Sequence, residues 1–130
     1  MLSHFLSPKT AGAPAPNFTG TWQNELNSEM ELVAVKSIVT GKYRTGVGLP
    51  TPAEEFDLVG FVSGDQISFT VNFGKYDSLT SWVGQHTIVN GVGVIKTVWL
   101  LSRNVPDAEE PTQMWGSVLT GADDFRRVTP

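Results

Sequence analysis

The chain has no cysteine, which excludes a disulfide framework, a thiol nucleophile and thiolate metal sites. Charge is also sparse: 17 % of residues are charged, below the roughly one-quarter usual in globular domains. A net charge of −4 and a pI near 5.0 leave no basic surface for nucleic acid or acidic lipid. Arg126-Arg127 is the one adjacent basic pair and reads as a solvated strand end. No apolar run approaches the roughly 20 residues of a membrane helix. His4 and His86 are the only histidines. His86 has no second histidine at ligand spacing, so a surface position is expected and a metal site is not. The acidic pairs Glu54-Glu55 and Asp123-Asp124 are sequence neighbours, which on a strand face opposite sides. Neither can act as a paired acid and base, and Glu54-Glu55 reads as a solvated loop. With no nucleophile–base pair, no catalytic residue and no enzyme activity are expected.

What the chain does have is punctuation. Thirteen glycines and eight prolines in 130 residues point to many turns and few helices. The length suits one domain that buries roughly two-thirds of its unfolded surface. Met1 to Pro16 carries a short apolar patch at Leu2, Phe5 and Leu6 but no secretory hydrophobic region. Residues 7–17 are rich in Pro, Ala and Gly, so 1–17 is expected to be a flexible leader and 18–130 the folded domain. From Phe18 onward, short runs of β-branched and aromatic residues predict strands at 18–25, 29–35, 38–45, 55–63, 66–74, 78–88, 93–102 and 118–128. Turn signals separate them, at Asn27-Ser28, Gly46 to Pro52, Ser63-Gly64-Asp65, Gly74 to Asp77, Asn90-Gly91 and Asn104 to Pro111. No window shows a helical stripe. The expected fold is all-β: an eight-stranded antiparallel up-and-down β-barrel with short connections.

Alternation sorts the strand faces. One set holds Trp22 and Asn24; Gly41, Tyr43, Thr45 and Val47; Phe56 and Leu58; Phe69, Val71 and Phe73. It continues with Ser78, Thr80 and Trp82; Ile95, Thr97, Trp99 and Leu101; Asp123 and Phe125. Three of the four tryptophans fall in this set, so it is the interior. Yet Asn24, Tyr43, Thr45, Ser78, Thr80 and Asp123 belong to it too. Enclosed polar groups cost free energy unless paired, so this many mark a cavity for a small, partly polar ligand. On the other face of strand 93–102, Val94, Val98 and Leu100 are apolar, which predicts a subunit interface.

Four blocks carry a resemblance. They are Gly20-Thr-Trp-Gln-Asn-Glu-Leu-Asn-Ser28; Thr40-Gly-Lys-Tyr-Arg-Thr-Gly-Val-Gly48; Ser78-Leu-Thr-Ser-Trp-Val-Gly-Gln85; and Trp99-Leu-Leu-Ser102 with Trp115-Gly-Ser-Val-Leu-Thr-Gly-Ala-Asp123. In order and at compatible spacing, they make the chain resemble the avidin/streptavidin family of biotin-binding proteins from about Phe18 to Pro130. The resemblance implies biotin as a bound ligand, not a prosthetic group, and no cofactor. It implies that Asn24, Ser28 and Tyr43 donate to the ureido oxygen, and that Thr45 and Asp123 accept from the ureido N–H groups. Thr80 would face the thioether sulfur. Ser78 and the backbone N–H of Leu49 would meet the carboxylate. Val47, Phe73, Trp82, Trp99 and Leu101 would line the apolar walls, and Trp115 would enter a neighbouring subunit's pocket. Phe73 replaces a tryptophan of the best-known bacterial member, and Glu54-Glu55 would repel a carboxylate. The family further suggests a secreted or periplasmic protein and a homo-oligomer, with a tetramer favoured over a dimer or higher assembly. A lipocalin-like carrier of an apolar ligand and a carbohydrate-binding module are the alternatives. The first shares the barrel and Gly20-x-Trp22 but calls for an apolar interior.

Overall fold

The structure, a computed structural model, describes residues 15–46 and 54–128, with the backbone alone at 113–115. Alternating side chains give eight antiparallel strands that close in chain order into a barrel, the fold expected from the sequence. The strands are β1 (Gly20–Gln23), β2 (Glu29–Val35), β3 (Ile38–Arg44) and β4 (Phe56–Ser63), then β5 (Gln66–Phe73), β6 (Ser78–Val89), β7 (Val92–Arg103) and β8 (Val118–Arg127). The closing seam is short. Trp22 pairs with Arg127 and Gln23 with Arg126, and the Val128 N–H donates to Thr21 O at 2.9 Å.

Most turns follow their local chemistry. Asn90-Gly91 joins β6 to β7 with both residues at positive φ, 51° and 78°, as a two-residue hairpin requires. Lys36 also takes a positive φ, 56°, in the β2–β3 turn, where no Gly or Asn signals it. The expectation of short turns fails between β7 and β8. Residues 104–117 form two 3-10 turns around the one-turn helix α1 (Glu110–Gln113). Pro111 falls in that helix's first turn, where its missing N–H costs no hydrogen bond.

Trp22, Tyr43, Leu58, Phe69, Trp82, Ile95 and Phe125 fill the interior, as the alternation predicts. Met30, Leu32, Val39 and Ile67 join them. Phe18 precedes β1 and is buried, and its carbonyl accepts from Trp22 Nε1 at 2.9 Å. His86 departs from its expected surface position. It lies within β6, half-buried, with its ring edge-on to both Phe18 and Trp22 at 6.1 Å. Burial and the nearby Arg127 charge lower its pKa. This packing marks the closed end of the barrel, opposite Ser78 at the start of β6.

Residues 1–14 of the expected leader lie outside the described residues. Just after them, Asn17 is fastened to the barrel: its carbonyl accepts from Arg127 Nη2 and its Oδ1 from the Thr19 N–H. On the outer face, Val59, Phe61, Val83, Val98 and Leu100 are exposed. Val94 differs from the other two outward valine and leucine positions of β7 and is only 2 % exposed. It lies nearer the hairpin, flanked on its face by Thr87 and Arg126. No helix among the described residues is long and apolar enough to cross a membrane.

Candidate ligand-binding site

The mixed polar face gathers at the open end. β1 ends at Gln23, and Asn24 then turns the chain inward. Its Oδ1 accepts from the backbone N–H groups of Leu26 at 3.0 Å and Ser28 at 2.9 Å. That use of the carbonyl oxygen commits the amide N–H₂ group to the interior as a donor. Ser28, 2 % exposed, accepts from the Gly46 N–H at 3.0 Å through Oγ and reaches the Tyr43 hydroxyl. Burial pushes the Tyr43 phenol far above its ordinary pKa; the Ser28 bond opposes this, and the Asp123 and Glu25 charges reinforce it. Tyr43 is therefore a neutral donor throughout the physiological range. Asn24, Ser28 and Tyr43 thus form one donor cluster.

Its acceptor stands beside Asn24, on the neighbouring strand β8. Asp123 is 7 % exposed, and its Oδ2 accepts from Trp82 Nε1 at 2.9 Å. Burial raises its pKa most. Hydrogen bonding from Trp82 and Asn24 opposes the shift, and the Glu25 charge adds to it. Thr97, also buried, donates through Oγ1 to the Asp123 carbonyl at 2.9 Å. Glu25 Oε2 accepts from the Asp124 N–H at 3.1 Å, extending the β1–β8 seam beyond its last paired residues. Neither Thr97 nor Glu25 is among the sequence-predicted site residues. Their partners follow only from strand register and closure.

The walls are aromatic. The Trp82 indole stacks on Phe69 at 5.1 Å and 16° and lies 5.1 Å from the Tyr43 ring. Phe73 is half-buried against Phe56 at 4.7 Å, and Tyr76 packs behind at 6.1 Å. Trp99 and Leu101 are half-buried on β7. Gly121 faces Trp99 so closely that a methyl group there would overlap the indole, so glycine makes room for this wall. Thr45 is half-buried just beyond β3. Val47 and Leu49 lie outside the described residues, as does the Trp115 side chain.

Two groups stand out energetically. Ser78 Oγ and Thr80 Oγ1 are buried with no hydrogen-bond partner among the described residues. An unmade bond on a buried hydroxyl costs about 1–3 kcal/mol, so a polar partner at either atom would be favourable. Of the acidic pair at the rim, Glu55 is exposed as expected of a solvated loop, whereas Glu54 is half-buried. Glu54 accepts from Tyr76 Oη at 2.8 Å and pairs with Lys75 at 3.3 Å, while Glu55 pairs with Arg44 at 2.7 Å. Arg44 also binds Glu29 and Glu31, and these bonds raise its pKa. The rim carboxylates are therefore largely offset by partners.

A sequence model of the avidin family matches residues 13–128 of this chain. The chain belongs to the avidin family. It is 34 % identical to avidin of Gallus gallus over 138 residues, covering 98 % of this chain and 89 % of that protein. Avidin-related protein 4/5 of Gallus gallus is 33 % identical over 136 residues, with the same coverage. Among solved structures, Xenavidin superposes with a TM-score of 0.74 at 29 % identity, covering 86 % of this chain and 97 % of that one. A rhizavidin–biotin complex superposes at 0.73 with 24 % identity, covering 92 % and 98 %, and supports the fold alone. Avidin-family membership gives the closed barrel and its polar open end a common context.

Proposed function

We propose that this chain is a non-catalytic, high-affinity biotin-binding protein whose ligand sits in the open end of the barrel. The observation that carries this reading is the pair of buried, unpartnered hydroxyls on Ser78 and Thr80, beside the Trp82–Asp123 hydrogen bond. Biotin offers a complementary atom to each polar group of the site. Its ureido oxygen meets the donors of Asn24, Ser28 and Tyr43, and its ureido N–H groups donate to Thr45 and Asp123. Thr80 donates to the thioether sulfur, and Ser78 with the Leu49 N–H meets the carboxylate. Phe73, Trp82, Trp99, Leu101 and Val47 enclose the rings and chain. In a dry pocket each hydrogen bond polarises the next, so the donor and acceptor sides reinforce one another.

The test is a biotin titration followed by tryptophan fluorescence, since Trp82 and Trp99 face the ligand. A saturable change supports the reading. No change with biotin, together with displacement of a fluorescent fatty acid by its unlabelled form, would replace it with a lipocalin-like carrier.

The exposed apolar face of β4, β6 and β7, with Phe61, Val83, Val98 and Leu100, supports assembly with further copies of the chain. A homotetramer in which Trp115 enters a neighbour's pocket is the proposed form. Trp115→Ala then speeds biotin dissociation while leaving the melting temperature without ligand near that of the parent. An unchanged dissociation rate would remove Trp115 from the site.

A further inference from the structure

The rim carries a cation that alternation from strand to strand does not bring forward. Ser78 opens β6 and Arg103 closes β7, and the two are direct register partners. Directly paired residues of an antiparallel sheet stand on one face. Arg103 therefore continues the inward line of Trp99 and Leu101 to the mouth. Its guanidinium is exposed and donates through Nη2 to Gly116 O at 3.3 Å. A guanidinium has five N–H donors, so that single long bond leaves most of the fork uncommitted. No ion pair joins Arg103 to a carboxylate among the described residues.

A cavity of about 410 Å³ lies at this strand end, lined by Ser78 and Arg103, by Leu79 and Ser102 of the other face, and by Asp77 and Glu110. Asp77 and Glu110 are its acidic groups, and neither forms an ion pair with Arg103. Ser78 Oγ, buried and unpartnered, supplies a second polar atom at the same height. A hydroxyl on the register partner of an arginine with uncommitted N–H groups suits a terminal carboxylate, which can accept two parallel N–H bonds from arginine and one more from the hydroxyl.

We propose that Arg103 is the charge-selecting residue of the rim: with Ser78 it receives the ligand's terminal carboxylate and favours free acids over their neutral amides. This assignment rests on the biotin reading and sharpens it, because biotin attached to a protein is an amide and has lost that charge. Glu54 and Glu55, engaged by Lys75, Tyr76 and Arg44, do not cancel the selection.

The experiment is competition binding of biotin and biotinamide to the full chain, at low and at high salt, for the parent, Arg103→Gln and Arg103→Lys. The parent prefers biotin. Arg103→Gln lowers that preference by about threefold to tenfold, the scale of an exposed charge-assisted pair, by weakening biotin while biotinamide binds as before. Arg103→Lys recovers part of it, and salt shrinks the parent's preference by screening. A structural role for Arg103 would weaken both ligands alike, and that result, or an unchanged ratio, overturns the assignment. Should Arg103→Gln fail to fold, the parent decides: a salt-independent preference also overturns it. A parent that binds neither ligand brings down the biotin reading itself.

Discussion

Asp123→Ala weakens biotin binding by about 1–3 kcal/mol at neutral pH, a fivefold to 150-fold rise in Kd, because a buried ureido N–H loses its acceptor. Trp82 Nε1 loses the same acceptor, so the indole is freed as well. Asp123→Asn falls in the same range. Its amide offers one oxygen and a donor group to the N–H groups of Trp82, Asn24 and the ureido ring, so at least one goes unmet. The ionised carboxylate, with two oxygens, serves them all, which gives the effect a pH signature. Burial and the Glu25 charge raise the Asp123 pKa, against the hydrogen bonds from Trp82 and Asn24. Protonation on the acid side removes the acceptor, so affinity falls as pH falls, starting above the ordinary aspartate range. Glu25→Gln keeps an acceptor for the Asp124 N–H and removes the charge, moving this acid limb to lower pH. For the unliganded fold the sign is opposite. Native Asp123 takes up its proton more readily than the unfolded chain, so its contribution to stability is present below the ordinary aspartate pKa and is lost as pH rises through the raised one. Titrations across pH with the parent and the three variants check all of this. A parent affinity that is flat into the acid range would reject Asp123 as the acceptor.

Trp22→Ala costs about 3–5 kcal/mol of folding free energy, the range for truncating a buried tryptophan. Trp22 is 0 % exposed, donates to Phe18 O, and carries the Arg127 guanidinium 4.3 Å above its ring. It also holds the edge of His86. Its loss opens the closed end and loosens the short β1–β8 seam, where Trp22 pairs with Arg127. Trp22→Phe keeps much of the packing and loses the hydrogen bond, so it costs less. Urea unfolding without ligand, at one protein concentration, measures both. A Trp22→Ala midpoint equal to the parent's would contradict the role of this plug.

Strand identity was legible because most runs alternate cleanly between apolar and polar residues. β2 was harder. Leu32-Val33-Ala34-Val35 is apolar on both faces, so alternation alone could not separate buried Leu32 from Val33 and Val35, which are exposed. Ile38-Val39 poses the same ambiguity. The polar members of the site were legible one by one as hydroxyls, an amide and a carboxylate on inner faces. Their partners were not. Trp82 and Asp123 are 41 residues apart and meet only through the pairing of β6 and β8 on either side of β7. The Thr97 bond to Asp123 O and the placement of Arg103 beside Ser78 depend on strand register, which no local signal fixes. Residues 104–117 were missed as structure because a one-turn helix is too short to show a periodic stripe.

The central claim is that two unpartnered hydroxyls, a donor trio and a buried carboxylate form one biotin site. Isothermal titration calorimetry of the full chain with biotin at neutral pH tests it most directly. The account predicts saturable, exothermic binding with one biotin per chain. The absence of binding heat at more than one temperature would contradict it.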